Sequence, residues 1–374
     1  MLKLKIIVYR NFLILCLLSI SGLALFAQEA LPPDGPYLVY EDDQLLAKWA
    51  WPEAVKVGGA LWTADAEMNL PDFPSFRKEY IRPNRKFARQ RQTYFSNVDS
   101  IAVMSDIHGQ YDAARKLLIN AGVMNEEQKW TYGHGHLVIV GDIFDRGPAV
   151  NETLWLIYNL QEEAAASGGR VHFLLGNHET MILSGDVRYM HNRYLRTTAL
   201  LTTPYHELYG KDTYLGRWLR SLPLTIRIND MVFVHGGFSK ELLREVSSLP
   251  KINDIYHEKL IDTEVNVAIA ESERLKLIQG RKGPLWYRGY FLDREFTEKD
   301  INKILKKVKA KRMIVGHTSF NAIQSYFDGK VLAVDSSIKF GSTGEILLIE
   351  HEELKRATLY GEMHEVLAAE DRRE

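Results

Sequence analysis

The sequence predicts an α/β fold, because short apolar strands alternate with amphipathic helices from residue 99 onward. Three runs carry this prediction, namely Ile101–Met104, Leu137–Val140 and Val171–Leu175. Each run is almost wholly apolar, as is typical of strands that other elements cover on both faces. The chain has 374 residues, of which 46% are hydrophobic, so it can fill a sizeable core.

Helical periodicity fills the intervals between these strands. After the first strand, apolar residues recur at i, i+3, i+4 and i+7, and Gly122 marks the end of the helix. These apolar residues are Ala114, Leu117, Leu118 and Ala121. After the second strand, Asn151 is predicted to cap a helix, and this helix ends before Gly168. The order strand, helix, strand favours a parallel sheet.

Two segments interrupt this alternation and are predicted to be helical insertions. Residues 181–222 are rich in Tyr and Arg, and residues 239–279 are rich in charge. Between them, Leu224–Ile228 and Met231–Val234 flank an Asn-Asp turn and are expected to pair as a hairpin. An amphipathic helix over Thr297–Ala310 follows, with Thr297 and Asp300 as a capping pair. A second group of strands is predicted at Arg312–Val315, Val331–Val334, Glu345–Glu350 and Arg356–Tyr360.

The N-terminus is typical of a secretory signal peptide, predicted over residues 1–27. A basic start precedes the mainly apolar run Phe12–Phe26, and Ala27 is a small residue suited to cleavage. We therefore expect a periplasmic or secreted protein without stable membrane association, or a membrane-anchored one if the signal is not cleaved. The single cysteine, Cys16, lies within this run, so a mature chain would contain no disulfide, thiol nucleophile or thiolate metal site.

Beyond the signal, we expect an N-terminal extension over residues 28–98, one main domain over 99–362 and a tail over 363–374. Residues 77–91 contain seven Lys or Arg and one Glu. This stretch suits an anionic or nucleic-acid-binding surface, or a solvated connector that wraps the core. The formal net charge of the whole chain is −1, which favours the connector and argues against a nucleic-acid partner.

Five short polar blocks each follow an apolar run. They are Ser105–Gly109, Gly141–Gly147, Gly176–Glu179, His235–Gly237 and Gly316–Thr318. Residues just past the carboxyl ends of buried strands lie at the edge of an α/β sheet, where ligands bind. Any one block could be a surface turn, but five in order indicate a site for two divalent metals about 3.5–4 Å apart. The candidate ligands are Asp106, His108, Asp142, Asn177, His235 and His317.

The position and chemistry of each candidate ligand indicate which of the two metals it would bind. Asp106 and His108 are two residues apart in one loop and can converge on one metal. Asp142 is assigned the bridging role, because a carboxylate has two oxygens and can contact two cations. The second metal would otherwise have only Asp142 and Asn177, so the last two histidines are assigned to it. Ligands without sulfur suit Mn, which we favour, or Fe or Zn.

Four further residues are candidates for handling substrate. His178 follows Asn177 directly and points elsewhere, so it is a candidate proton donor that Asp145 could orient. Arg146 offers a planar fork that matches phosphate oxygens. Arg288 is either a second phosphate-binding residue or a surface arginine in a turn, and its sequence position alone does not distinguish these two roles.

The blocks resemble those of the calcineurin-like metallophosphoesterases, and within them the phosphoprotein phosphatase group with its GDxHG, GDxxDRG, GNHE, HGG and GH motifs. The resemblance covers residues 99 to 350, with Ser105 in place of the first glycine. The block Leu285–Arg288 and the signal-like start resemble the Shewanella-like branch more than the eukaryotic cytosolic enzymes. The family resemblance implies a four-layer α/β/β/α sandwich whose binuclear site has the ligand and phosphate-binding residues given above. It also implies direct attack on phosphorus by a metal-bridging hydroxide, without a phosphoenzyme.

Three functions follow from these patterns. The favoured one is an exported, metal-dependent phosphomonoesterase that acts on phosphoproteins at Ser/Thr, Tyr or both, or on small phosphoesters. The second keeps the chemistry but acts on nucleotides or dinucleoside polyphosphates. The third is a non-catalytic phosphate or metal sensor, against which the presence of His178, Asp145 and Arg146 argues.

Overall fold

The computed structural model describes residues 33–42, 44–62, 69–263, 267, 270 and 272–369. The predicted signal peptide and Cys16 lie outside these residues. Within the described part, no helix is both long and apolar enough to cross a bilayer. Its strands are β1 Asp34–Glu41, β2 Gln44–Trp51, β3 Lys56–Leu61, β4 Tyr94–Phe95, β5 Ser100–Met104, β6 His136–Ile139, β7 Arg170–Phe173, β8 Thr225–Ile228, β9 Met231–Val234, β10 Arg312–Val315, β11 Gln324–Tyr326, β12 Val331–Ala333, β13 Glu345–Glu350, β14 Glu353–Thr358, β15 Met363–Glu365 and β16 Leu367–Ala368.

The helices follow the same order along the chain. They are α1 Tyr111–Asn120, α2 Val150–Ala166, α3 Asn177–Leu183, α4 Arg193–Leu201, α5 Tyr214–Leu219, α6 Lys240–Glu245, α7 Leu249–Ile255, α8 Glu273–Gln279, α9 Gly289–Leu292 and α10 Glu298–Val308. The predicted insertions over 181–222 and 239–279 contain α4 and α5, and α6 to α8, respectively. Thr297 and Asp300 form the predicted capping box of α10.

Two large sheets form the centre of the fold. The first sheet has the order β15-β14-β13-β5-β6-β7, and the second sheet has the order β16-β11-β12-β10-β9-β8-β4. β5, β6 and β7 are parallel to one another, as are β9, β10 and β12. The predicted hairpin is present as the antiparallel pair β8 and β9. Parallel neighbours bring the carboxyl ends of β5, β6 and β7 to one edge, and those of β9 and β10 to another.

The strand residues alternate between two hydrophobic clusters, and this alternation reveals the layers. Val103, Val138, Phe233 and Ile314 belong to a cluster shared by the two sheets. Their sequence neighbours face outward into the cluster that includes the helices; they are Met104, Ile139, Val232 and Val315. On the outer side, α1 contacts β13 and β14, α2 contacts β7, and α7 contacts β8. This confirms the predicted α/β/β/α arrangement.

The N-terminal extension contains a three-stranded sheet. In this extension the sequence predicts a strand only at Tyr37 to Tyr40. β1, β2 and β3 pair in order as antiparallel neighbours. Trp155 of α2 donates from Nε1 to the carbonyl oxygen of Pro36 at 3.1 Å. The buried carboxylate of Asp34 accepts the hydroxyl of Thr197, in α4, at 2.6 Å. The extension is therefore bound to both a core helix and the first insertion.

The basic stretch at residues 77–91 lies along α2. Arg85 pairs with Glu162 at 2.6 Å, and the hydroxyl of Tyr80 donates to Glu163 at 2.7 Å. The ring of Phe87 lies 5.0 Å from that of Tyr214. These contacts are those expected of a connector that wraps the core.

Two details differ from expectation. His134 and His136 precede the second predicted strand, and the sequence predicts that both are loop residues, but His136 opens β6 and is buried. Its Nδ1 lies 3.0 Å from Nε2 of His172, because the parallel pairing of β6 with β7 puts the two rings on one face as diagonal neighbours. In addition, β15 and β16 lie beyond the predicted domain end at 362, so both sheets continue into the segment expected to be a tail.

Candidate metal centre and active site

The predicted site residues meet where strands of the two sheets end. The loop after β5 carries Asp106, the loop after β6 carries Asp142, and α3 begins with Asn177 just beyond β7. His235 follows β9 and His317 follows β10 in the second sheet. The loops are joined directly: Asp106 donates its N–H to Gly141 O at 3.0 Å. The stacked sheets therefore bring five separate stretches of chain to one place.

Many of these residues have a left-handed backbone. A positive φ is uncommon for residues other than glycine and costs of order 1 kcal/mol or more at each position. Such strain persists only where surrounding contacts dictate it, and it concentrates at functional sites. The site residues concerned are Asp106 (φ 54°), His108 (49°), Asp142 (60°), Asp145 (71°), Arg146 (66°) and His317 (64°).

Asp142 lies at the centre of the group. Its Oδ2 is 3.2 Å from His235 Nε2, 3.8 Å from His108 Nε2 and 3.9 Å from His178 Nε2. Two groups of mutually close potential ligands result, one with His108 and His178 and the other with His235 and His317, and Asp142 belongs to both. This sharing is what a carboxylate between two cations requires.

Asp106 lies beside the first group. Its Oδ2 accepts the Ser105 hydroxyl at 2.6 Å and the His317 N–H at 2.9 Å. Its Oδ1 lies 4.0 Å from His108 Nε2. Two atoms that each bind one ion at about 2.1 Å can be at most about 4.2 Å apart, so Asp106 and His108 can share an ion.

The imidazoles are oriented with one nitrogen toward the centre. Nδ1 of His108 lies 2.7 Å from the Phe144 carbonyl oxygen, and Nδ1 of His235 lies 2.7 Å from that of Val140. A ring that donates from Nδ1 leaves Nε2 free to bind a metal. Nε2 of His317 is buried and has no hydrogen-bond partner within the described residues. An orphaned buried acceptor of this kind suits a bound cation.

The surroundings of His235 test whether a cation fits. Its Nε2 lies 2.9 Å from Asn177 Oδ1 and 3.2 Å from Asp142 Oδ2. Two acceptors that face one nitrogen require a positive charge there, either a second ring proton or a cation. Burial lowers the pKa of His235, but Asp142 outweighs burial and raises it to about 10. The donor set therefore fits a divalent metal.

Glu179 ties two of the site loops together. Its buried carboxylate accepts the N–H groups of Asp142 and Ile143 at 2.7 Å each, of Phe144 at 3.2 Å and of Gly176 at 2.7 Å. The carboxylate thus substitutes for missing backbone partners in a strained loop. From the sequence, Glu179 could either fix the loop or start the next helix. The contacts show that it bonds the loop after β6 from within the first turn of α3.

His178 and Asp145 form a closely bonded pair. Nδ1 of His178 lies 2.5 Å from Asp145 Oδ2, which leaves Nε2 facing the centre. Burial lowers the pKa of His178, but Asp142 and the hydrogen bond to Asp145 raise it, with a net increase above the ordinary value. A histidine in this state holds a proton near neutral pH that it can give to a leaving oxygen.

The two arginines lie near this centre. Arg146 is exposed, and its guanidinium lies 5.5 Å from the ring of Tyr189. Arg288 is partly buried; burial lowers its pKa, whereas the nearby carboxylates of Asp106 and Asp142 oppose that shift. Arg288 therefore lies within the electrostatic field of the candidate metal ligands, and Arg146 is close enough to interact with it.

Two aromatic residues that the sequence did not single out contact the site histidines. The ring of Tyr189 lies 5.3 Å from that of His178, and the ring of Trp286 lies 5.5 Å from that of His317. Trp286 stands two residues before Arg288, within a block already noted. Tyr189 comes from the first insertion, whose Tyr- and Arg-rich composition was the available signal.

Comparison with known proteins identifies the family. The family model described as calcineurin-like phosphoesterase matches residues 100–319. The chain belongs to the calcineurin-like phosphoesterase family. The resemblance on which the sequence analysis depended is thereby confirmed.

The relatives of this calcineurin-like phosphoesterase include a protein-tyrosine phosphatase of known structure. That cold-active enzyme, from a psychrophilic Shewanella species, is 36% identical, covers 89% of this chain and 99% of its own, and gives a TM-score of 0.81. An uncharacterized protein of Schizosaccharomyces pombe is 31% identical over 72% of this chain and 82% of its own length. Shewanella-like protein phosphatase 1 of Plasmodium berghei is 27% identical over 71% and 75%, respectively. The chain is thus a phosphoprotein phosphatase-like metallophosphoesterase.

Proposed function

We propose that this chain is an exported, binuclear metal-dependent phosphomonoesterase that removes phosphate from phosphorylated proteins. The observation that carries the proposal is the position of Asp142, which is shared by two groups of buried potential ligands. The Shewanella relative of this chain is described as a protein-tyrosine phosphatase, and this description supports phosphoproteins as substrates. Export follows from the signal-like residues 1–27.

In this proposal each predicted residue keeps its role. Asp106 and His108 would hold one ion together with Asp142. The second ion would be held by Asp142, Asn177, His235 and His317. When bound, two such ions, with Mn favoured over Fe or Zn, supply Lewis acidity and a water of lowered pKa.

The remaining side chains act on the phosphate and the leaving group. The guanidinium groups of Arg146 and Arg288 bind phosphate oxygens and offset the charge of the transition state. Asp145 fixes the Nδ1 proton of His178, so the Nε2 proton faces the site. His178 then gives that proton to the oxygen of the departing side chain, which is otherwise a poor leaving group.

The test is an activity screen on protein purified without residues 1–27. Metal is removed and then restored as Mn²⁺, Fe²⁺ or Zn²⁺, and p-nitrophenyl phosphate, phosphopeptides and dinucleoside polyphosphates are compared. We expect metal-dependent release of phosphate, with a higher kcat/KM for phosphopeptides than for nucleotides. Preference for nucleotides would replace the proposal by the nucleotide alternative, and no turnover with any metal would favour a sensor.

Export needs a separate measurement. The full-length chain is expressed in a Gram-negative host, the cell fractions are separated, and the N-terminus of the product is sequenced. We expect a periplasmic or secreted product whose sequence begins near residue 28. A product that retains residues 1–27 in the membrane fraction would indicate an uncleaved anchor instead.

A further inference from the structure

A cleft of about 620 Å³ lies beside the candidate metal centre. Tyr189 and Trp286 both line it. Because these two rings also contact His178 and His317, the cleft lies next to the place where phosphate would bind. A peptide whose phosphorylated residue enters the metal centre would therefore have its neighbouring residues close to this cleft.

Among the described residues that line the cleft, one arginine forms no ion pair. Arg188 is neutralised by Asp186, which accepts from Nε at 2.9 Å and from Nη2 at 2.6 Å. Arg281 also lines the cleft and is exposed, and it forms no ion pair with any described residue. The adjacent Lys282, by contrast, pairs with Glu241 at 2.8 Å. Arg281 is therefore the cation available to a ligand in the cleft.

A buried amide in the cleft lining also lacks a partner. Gln279 is only 8% exposed and lies at the end of α8. Its Oε1 forms no hydrogen bond within the described part of the chain. Buried polar atoms are seldom left unpaired, because an unmade hydrogen bond costs about 1–3 kcal/mol. Rotation of the Gln279 side chain into the cleft would let an N–H group of a bound peptide satisfy this acceptor.

We propose that this cleft is a subsite for the residues next to the phosphorylated residue of a peptide substrate, and that it selects an acidic side chain there. Tyr189 and Trp286 provide the walls, Gln279 accepts a peptide N–H, and Arg281 pairs with the acidic side chain. The inference rests on the proposed phosphoprotein phosphatase function and adds the sequence context that the enzyme prefers.

The test compares two peptides that share one phosphorylated residue, of the type the enzyme hydrolyses fastest. One peptide has glutamate at the positions on either side, and the other has glutamine there. An ion pair at an exposed position is worth about a twofold to fivefold ratio. We expect the kcat/KM of the wild-type, Mn²⁺-loaded enzyme to favour the glutamate peptide by that ratio, mainly through KM. The preference should shrink at high salt, because exposed charges are screened.

Variants assign the preference to the cleft. Arg281→Gln should bring the ratio of the two peptides to about one while leaving kcat/KM for p-nitrophenyl phosphate unchanged, since that substrate has no flanking residues. Lys282→Gln removes an equal charge at the neighbouring position and should keep the wild-type ratio. Retained activity on p-nitrophenyl phosphate shows that each variant is folded.

The outcomes separate this inference from the function on which it rests. Equal hydrolysis of both peptides by the wild-type enzyme, or an unchanged preference in Arg281→Gln, would overturn the subsite and leave the phosphatase function standing. Hydrolysis of p-nitrophenyl phosphate without hydrolysis of any phosphopeptide would reject both.

Discussion

Replacing Glu179 by glutamine should weaken both the fold and the metal centre. The amide keeps one acceptor oxygen and turns an NH₂ group toward two backbone N–H donors. The four hydrogen bonds divide evenly between the two carboxylate oxygens, so either amide orientation loses two of them. A hydrogen bond to a charged group contributes about 1.5–3 kcal/mol, and the free energy of unfolding should fall by about 3–6 kcal/mol.

Activity should fall as well, because the bonds that are lost hold the loop carrying Asp142. A displacement of a reacting group by about 1 Å can cost about 100-fold in rate. We expect Glu179→Gln to lose at least that factor in kcat/KM and to bind less metal. Denaturant unfolding, elemental analysis and steady-state kinetics on one preparation measure the three effects.

Glu163 provides a matched control for this substitution. It is also a buried carboxylate, and it accepts the N–H of Trp130 at 2.6 Å and the hydroxyl of Tyr80 at 2.7 Å, in contacts that include no candidate metal ligand. Glu163→Gln should lower stability but leave metal content and kcat/KM of the folded protein unchanged. If Glu179→Gln retained full metal and a kcat/KM within about threefold of wild type, the positioning role would be refuted.

Three further predictions address other parts of the structure. His178→Asn should keep its metals but lose about 100-fold or more in turnover of phosphoserine peptides, whose leaving group needs a proton, and much less with p-nitrophenyl phosphate; equal losses on both substrates would reject the proton-donor role. Asp142→Ala should lose both ions by elemental analysis, and two metals per chain in that variant would argue against a bridging carboxylate. Burial lowers the pKa of His136 from 6.5 to about 4, so the unfolded chain binds a proton that the folded chain does not between these values, and stability falls as pH falls. Between about pH 7 and pH 5, the free energy of unfolding of His136→Gln should therefore fall by about 2 kcal/mol less than that of the wild type. Plots of unfolding free energy against pH that run parallel for the two proteins would contradict this.

The central strands were predictable because they are buried on both faces. β5, β6 and β7 lie within two residues of the runs expected from apolar content alone. The capping box of α10 was predictable for a similar reason, since its signal is local. By contrast, β2 and β3 mix aliphatic, small and polar residues and expose part of their surface, and aromatic residues occur only in β2. Both strands pack against α4, which is distant in the sequence.

His136 shows how a local interpretation fails. Its neighbours Gly133 and Gly135 indicate a loop, and only the register between β6 and β7 reveals that its ring lies against His172. Register is set by the packing of whole strands and not by the residues around one histidine. His172, by contrast, lies within the apolar run Val171–Leu175, and this run alone predicts a histidine of the core or of a strand face. That prediction needs no register.

Predicting the candidate site requires both local sequence signals and the long-range packing of the fold. The candidate ligands were predictable as a set, because five polar blocks in order, each after an apolar run, are hard to assemble by chance. Their arrangement was not, because it depends on Glu179 and on left-handed backbone at residues such as Asp142 and His317. The chemistry of a candidate ligand is visible in its residue type, but the backbone conformation that orients its side chain is stabilised by other residues. Substitutions at Glu179 should therefore change activity as much as substitutions at the ligands, although Glu179 faces backbone amides and no substrate.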